Sequence, residues 1–429
     1  MTIELWFDFS CPYAYLASQR AAVLGVPIDW RPMLLGGVFR GIGAGAGPMA
    51  TISAAKAAHN LADMHRWAAR FDVPFRMPAA HPMRTVRALR VLLALPHATW
   101  PRAIEAIYAA YWQRGEDITS DAVIAGALAG AAIDPEAITL ALSHGEQHRD
   151  ELHARTQQAI ELGIFGAPAF VIRRDDPGGP GGADDDRPIL VWGQDRSAWL
   201  EAVLAGWDPD ASPPPGGSRA FAPRERASPG TTLDFYFDVA SPFAYFALTQ
   251  LTGLAATGAE IRLVPILLGG LFRDIGQADV PLATFPPPKL AYVTREMQRW
   301  AHWWNVPFDP PAKFPQRTIK AQRLAVLAAD EGRGGTLATA LGRAMWAEQR
   351  DLEDDATLRE LVTGAGLPAS WVERTADPEL KARLIANTTA ARAAGVFGVP
   401  TFIVTHPGKD PQLLWGQDRL ELVATEVAS

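Results

Sequence analysis

Ten residues near the start of the chain, Trp6-Phe7-Asp8-Phe9-Ser10-Cys11-Pro12-Tyr13-Ala14-Tyr15, return as Tyr236-Phe237-Asp238-Val239-Ala240-Ser241-Pro242-Phe243-Ala244-Tyr245. The echo continues in order. Leu34-Leu35-Gly36-Gly37-Val38-Phe39-Arg40 returns as Leu267-Leu268-Gly269-Gly270-Leu271-Phe272-Arg273. Arg66-Trp67-Ala68 returns as Arg299-Trp300-Ala301, and Trp112 as Trp346. Gly163-Ile164-Phe165-Gly166-Ala167-Pro168 returns as Gly395-Val396-Phe397-Gly398-Val399-Pro400, and Trp192-Gly193-Gln194-Asp195-Arg196 as Trp415-Gly416-Gln417-Asp418-Arg419. A repeat this long is a duplicated domain and not a solenoid unit. It divides the chain into a first domain over 1–207 and a second over 231–429. Between them, residues 208–230 hold six prolines and three glycines, the composition of a semi-extended tether. The last two blocks lie closer together in the second half. The first half therefore carries an insertion, placed at Arg173 to Pro188, a Gly-, Pro- and Asp-rich stretch that reads as a mobile surface loop between two strands.

The chain has 429 residues, 48% apolar and 20% charged, which is ordinary globular composition. A formal charge of −7 gives no electrostatic draw toward nucleic acid or an anionic membrane. The longest nearly apolar run, Ala122 to Ile133, is too short to span a bilayer. The first residues lack the basic start of a signal peptide. A soluble, cytoplasmic protein is expected. The single cysteine, Cys11, excludes an intrachain disulfide framework and a cysteine-based zinc module.

Apolar Ile3, Leu5 and Phe7 alternate with Glu4, Trp6 and Asp8, which predicts a strand. Pro12 suits a first helical turn, where its missing N–H leaves nothing unpaired, so a helix over about Tyr13 to Leu24 follows. Pro27 to Met33 reads as a second strand. Helical stretches fill the middle of each half, and two short strands, Pro168 to Ile172 and Ile189 to Trp192, precede a last helix near Asp195. The order β-α-β, helical block, β-β-α is that of an α/β domain with helices inserted into it.

Strand, short turn and proline-led helix put Cys11 and Ser241 where unpaired N–H groups and the positive helix end converge. That position favours an anion, either a thiolate of the chain or a bound one. A thiol there could have a lowered pKa, while a serine such as Ser241 could only donate a hydrogen bond. The ordinary alternatives are a buried small residue and a helix cap. Ala167-Pro168 and Val399-Pro400, by spacing alone, are strand-start prolines. Asp195 and Asp418 read equally well as N-caps.

Taken together, Phe-Asp-Phe-x-Ser/Cys-Pro, Leu-Leu-Gly-Gly-x-Phe, Arg-Trp-Ala, Phe-Gly-x-Pro and Trp-Gly-x-Asp-Arg resemble the 2-hydroxychromene-2-carboxylate isomerase family, close to kappa-class glutathione transferases and DsbA-like proteins. The resemblance covers each half nearly end to end. It implies two thioredoxin-like domains, each with an inserted all-helical subdomain. It implies glutathione as cofactor and a small-molecule substrate, an unsaturated carboxylate isomerised through reversible thiolate addition. It also implies that the two lobes pair within the chain as a pseudo-dimer. In the family a serine at the first turn faces the glutathione sulfur. Ser241 holds that place in the second half and Cys11 in the first, so these are the candidate catalytic residues. The family's cis-proline loop implies glutathione contacts by Ala167, Pro168, Val399 and Pro400. Its next segment implies contacts by Trp192, Gly193, Gln194 and Asp195, and by Trp415, Gly416, Gln417 and Asp418. Arg40, Arg84, Arg273 and Arg317 are candidates for the substrate carboxylate, because arginine clamps carboxylates with paired hydrogen bonds. Alternatives within reach are a kappa-type transferase, a monothiol glutathione-linked oxidoreductase and a non-enzymatic glutathione-binding module.

Two other signals are set aside. Gly41 to Gly47 resembles a dinucleotide loop, but its counterpart from Asp274 is not glycine-rich. His144, His148 and His153 lack ligand-bearing equivalents in the second half, so no metal is expected.

Overall fold

The computed structural model describes residues 2–21, 24–45, 47, 52–173 and 188–429. The expected loop at Arg173 to Pro188 therefore lies, but for its two end residues, outside the described residues, as do Ala46 within the glycine-rich run and part of the end of the first helix. The chain forms two units. The first comprises Met1–Ile52, Leu61–Trp207 and Phe285–Tyr292, and the second Ser53–Asn60, Asp208–Thr284 and Val293–Ser429.

The first unit opens with strand β1 (Thr2–Phe7), helix α1 (Pro12–Ala21) and strand β2 (Ile28–Pro32). Helix α2 (Leu35–Gly41) follows, then α3 (Ala54–Arg70), whose residues up to Asn60 belong to the second unit. Helices α4 (Val86–Ala94), α5 (Trp100–Trp112), α6 (Asp121–Gly130), α7 (Pro135–His144) and α8 (Arg149–Glu161) make the inserted block. Strands β3 (Ala169–Arg173) and β4 (Ile189–Trp192) and helix α9 (Ser197–Leu204) close the unit. The sheet order is β2-β1-β3-β4, with β1 parallel to β2 and antiparallel to β3. This is a thioredoxin-like arrangement with a helical insertion.

The second unit repeats the plan. Its sheet runs β6-β5-β7-β8, from β5 (Thr232–Phe237), β6 (Glu260–Pro265), β7 (Thr401–Thr405) and β8 (Gln412–Trp415). Helix α10 (Pro242–Leu248) corresponds to α1, and α11 (Leu251–Ala256) follows it. Helix α12 (Leu268–Asp274) corresponds to α2, and α13 (Pro287–Trp304) to α3. Helices α14 (Ile319–Asp330), α15 (Gly334–Trp346), α16 (Asp355–Gly364), α17 (Trp371–Arg374) and α18 (Pro378–Ala393) form the insertion, and α19 (Leu420–Ala428) ends the chain.

The alternation in β1 marks a strand but not a half-exposed one. Residues 3–7 are all buried, because β1 is an inner strand. Its one charge, Glu4, is kept by partners on both neighbouring strands. Arg173 Nε donates to it at 3.1 Å, Arg31 lies at 3.5 Å, and the Trp6 indole N–H donates at 2.9 Å. A buried charge without such partners would be costly.

Beneath the first turn, Phe9 and Tyr108 meet edge to face at 5.0 Å, and Tyr15 lies 5.6 Å from Tyr108. Such pairs add about 0.5–1.5 kcal/mol each beyond area burial. In the second unit Gly342 takes the place of Tyr108, and a Cβ there would come within 3.0 Å of the Tyr245 ring. The duplicated cores have thus diverged directly under the turn.

Composition alone suggests a tether over 208–230. The structure fastens this segment along the second unit. Arg299, fully buried, donates through Nε and Nη2 to Asp210 at 2.6 and 2.8 Å. Ser218 Oγ donates to Trp304 O, and Phe221 N to Gln250 Oε1, each at 2.8 Å.

Candidate active site

Strand β1 ends at Phe7, and the next residue organises the turn. The buried Asp8 carboxylate accepts Ser10 N–H at 3.0 Å, Leu35 N–H at 2.8 Å and the Thr85 hydroxyl at 2.6 Å. It thereby ties the first turn to the start of α2 and to the loop before α4. Asp238 repeats this with Ala240 N–H at 3.0 Å, Leu268 N–H at 2.9 Å and the Thr318 hydroxyl at 2.9 Å. Burial raises both carboxyl pKa values, and these hydrogen bonds only partly offset it. The Trp112 indole N–H donates to Phe9 O at 2.9 Å, and Trp346 to Val239 O at 2.8 Å.

Cys11 and Ser241 stand at the openings of α1 and α10. Each is buried, 7% and 6% exposed. The Cys11 thiol donates to Ala167 O at 3.1 Å. Ser241 Oγ accepts Ala244 N–H at 3.3 Å and donates to Val399 O over a long 3.4 Å. The structure thus brings each turn residue to the residue preceding its proline. Both Ala167-Pro168 and Val399-Pro400 are cis, as the family resemblance implies and spacing did not; His81-Pro82 and Phe314-Pro315 are cis as well.

The expectation of an acidic thiol is corrected. Burial pushes the Cys11 pKa up to about 12, the Ala14 and Tyr13 amides offsetting too little of it and the Asp8 carboxylate adding to it. A helix opening favours an anion only if desolvation does not cost more. Cys11 is a protonated thiol at neutral pH.

The third segment joins the same place. Gly193 N–H donates to Pro168 O at 3.1 Å and Gly416 N–H to Pro400 O at 3.0 Å. Both glycines have strongly positive φ, at 105° and 113°, and a Cβ at either would come within 2.4 Å of the carboxylate of Asp195 or Asp418. These aspartates fold back beside their glycines and lie 3.1 Å from Arg196 and Arg419. They are not the N-caps of the final helices, which start two residues later. Gln194 and Gln417 are buried, and Gln194 Nε2 has no hydrogen-bond partner among the described residues. The Trp192 and Trp415 indoles lie against Gly166 and Gly398, where a Cβ would be 2.9 Å from Nε1.

The four arginines are placed differently. Arg40, Arg84, Arg273 and Arg317 are all exposed, and none of their side chains is hydrogen-bonded to the turns. Arg84 and Arg317 immediately precede Thr85 and Thr318; Arg40 and Arg273 lie at the far ends of α2 and α12.

Several site residues escaped sequence reading. Asp8, Asp238, Thr85 and Thr318 do repeat between the halves, which is a usable signal. Tyr292 and His59 occupy matching positions with different side chains, and nothing marks them. In the first unit Trp192 N–H donates to Tyr292 Oη at 2.9 Å; in the second, Trp415 N–H donates to His59 Nε2 at 3.2 Å. Lys56, also of the second unit, holds its ammonium 4.9 Å over the Trp415 ring, and burial lowers its pKa. No carboxylate pairs with it among the described residues.

The fold and this arrangement define a thioredoxin-type domain present twice. The DsbA-like thioredoxin domain family matches residues 2–205 and again 232–428, and the chain belongs to that family. Among curated relatives, a 2-hydroxychromene-2-carboxylate isomerase of Sphingobium xenophagum is 31% identical over 200 residues, covering 45% of this chain and 95% of its own. Glutathione S-transferase kappa 1 of Caenorhabditis elegans is 26% identical over 203 residues, 45% of this chain and 88% of its own. A solved 2-hydroxychromene-2-carboxylate isomerase structure, 23% identical, aligns with 48% of this chain and 95% of its own at a TM-score of 0.38. Each relative corresponds to about half of this chain. Among the described residues no helix is long and apolar enough to cross a membrane.

Proposed function

We propose that the chain is a glutathione-dependent isomerase acting on an unsaturated carboxylate, with a glutathione position in each half. The observation that carries this is a matched pair of orphaned donors. Ala167 and Val399 have largely buried side chains, and no hydrogen bond from either amide N–H is formed among the described residues. An amide left unpaired beside a turn is available to a ligand. Two of them, each preceding a proline and facing a helix opening, suit an extended peptide added as a short strand. The residues present therefore fit a small peptide thiol.

Glutathione bound there would supply a thiolate nucleophile for reversible addition to a conjugated carbon, the chemistry by which a carbon–carbon double bond loses its barrier to rotation. The protein's part is orientation and charge stabilisation. Ala167 and Val399 align the cysteinyl backbone. Gly193 to Asp195 and Gly416 to Asp418 receive the γ-glutamyl end, and Lys56 provides positive charge at the second-unit position. Ser241, whose proton is only loosely held by Val399 O, turns it toward the sulfur anion. Cys11, protonated at neutral pH, serves as a weaker donor of the same kind, which disfavours thiol–disulfide exchange in the first half. Arg84 and Arg317, beside the turn network, are the arginines assigned to the substrate carboxylate.

Calorimetry with glutathione on the full chain tests the binding reading, with two sites per chain expected. Ser241→Ala and Cys11→Ala, made separately, should each weaken one site, and Ser241→Ala should cost more turnover. An absorbance screen of unsaturated carboxylates with and without glutathione tests the reaction; a conjugated adduct as product would instead indicate a transferase. No binding heat and no glutathione-dependent turnover would overturn the proposal.

A further inference from the structure

The two halves differ in chemistry on one short loop. His81 and Phe314 each precede a matching proline, and Tyr111 and Met345 each precede the matching Trp112 and Trp346. Both position-81 and position-314 rings pack on the tryptophan that holds the first turn, at 5.1 Å for His81–Trp112 and 5.6 Å for Phe314–Trp346. Packing alone therefore does not require an imidazole. Nor does the loop need a phenol to anchor it. In the second unit Gln316 does that work, accepting from Leu352 N–H at 2.9 Å. The first unit has Met83 N–H donating to Tyr111 Oη at 2.9 Å, with His81 Nδ1 also 2.9 Å from that oxygen.

Pairing the buried phenol proton assigns the tautomer. The Tyr111 hydroxyl has one proton, and Nδ1 of His81 is the acceptor available for it among the described residues. His81 Nδ1 is then unprotonated, and the ring proton sits on Nε2. Half burial lowers the imidazole pKa, which favours the neutral ring. Nε2–H has no partner among the described residues. Its loop ends at Thr85, whose hydroxyl is bonded to Asp8 beneath the first turn.

We propose that Tyr111 and His81 form a hydrogen-bond relay that presents His81 Nε2–H to a carbonyl or carboxylate oxygen of the second substrate in the first half, whereas Phe314 gives the second half an apolar wall. The two halves then differ in substrate preference, the first favouring an oxygen-bearing group near the thiol position and the second a hydrocarbon one. The inference rests on the glutathione reading.

Two S-substituted glutathiones place the groups to be compared. Calorimetry on the full chain with S-(3-carboxypropyl)glutathione and S-butylglutathione should find one of two sites preferring the carboxylate. His81→Phe should lower that preference by about tenfold, the effect of one hydrogen bond to a charged group, and leave the other site unchanged. His81→Gln, which keeps a donor, should restore part of it. Nitrogen-15 NMR of the histidine rings should find His81 as the Nε2–H tautomer, and Tyr111→Phe should remove that bias. An unchanged preference in His81→Phe, or a His81 ring protonated on Nδ1, overturns the inference alone. Failure of the unsubstituted chain to bind either compound overturns the glutathione reading and the inference with it.

Discussion

The Thr85 hydroxyl donates to the Asp8 carboxylate at 2.6 Å across 77 residues of sequence, and Thr318 does the same for Asp238 across 80. This contact joins the strand end, the turn bearing Cys11 or Ser241, and the inserted helices. Together with the Trp112 and Trp346 indole bonds to the turns, it holds the α/β layer and the helical block in register.

Thr85→Val keeps the shape and deletes that bond, leaving a buried carboxylate with two amide donors. A loss of about 1.5–3 kcal/mol in stability is expected, read from urea unfolding monitored by tryptophan fluorescence. Thr318→Val should behave alike. A change within error would mean the hydroxyl bond is not formed.

The raised pKa values of Asp8 and Asp238 set a pH dependence of definite sign. Between the unfolded value of 3.8 and the higher folded value, the native state binds more protons than the unfolded one. Stability from these groups is therefore fully present below 3.8 and lost as pH rises through the folded pKa, with a slope of at most about 1.4 kcal/mol per pH unit for each carboxyl. Asp8→Asn should remove its share. The difference in unfolding free energy between the unsubstituted chain and the variant should fall with rising pH across that window, and a rising difference would refute the assignment.

Cys11 should be inert. With its pKa pushed up to about 12 against an ordinary 9.0, the thiolate fraction at pH 8 is about a thousandfold smaller folded than unfolded. Iodoacetamide labelling followed by mass spectrometry should proceed slowly in buffer and quickly in urea. Comparable rates in the two would show an exposed or acidic thiol.

Gly193 and Gly416 adopt backbone angles open essentially to glycine alone. Gly193→Ala adds about 1–3 kcal/mol of backbone strain and drives a Cβ at the Asp195 carboxylate. Reduced stability and at least tenfold weaker glutathione binding at one site are expected by calorimetry. Normal binding would separate this segment from the ligand.

The duplication, the strand–turn–helix at each lobe's start, the inserted helices and the proline and Trp-Gly-Gln-Asp segments were all legible in the sequence. Each is a local pattern, and each occurs twice in constant order. The extent to which β1 is buried was not legible, because alternation reports a strand's period and not its neighbours.

Local patterns identify which residues line the two turns. Packing sets what those residues can do. Helix position argued for an acidic thiol at Cys11, and burial reversed it, since the dielectric around a group depends on everything folded over it. The partners of the Trp192 and Trp415 amides lie 100 and 356 residues away. Asp8 meets Thr85, and Tyr111 meets His81, only once the helical block has closed. Such contacts leave no period in a sequence, because what brings them together is the packing of whole elements.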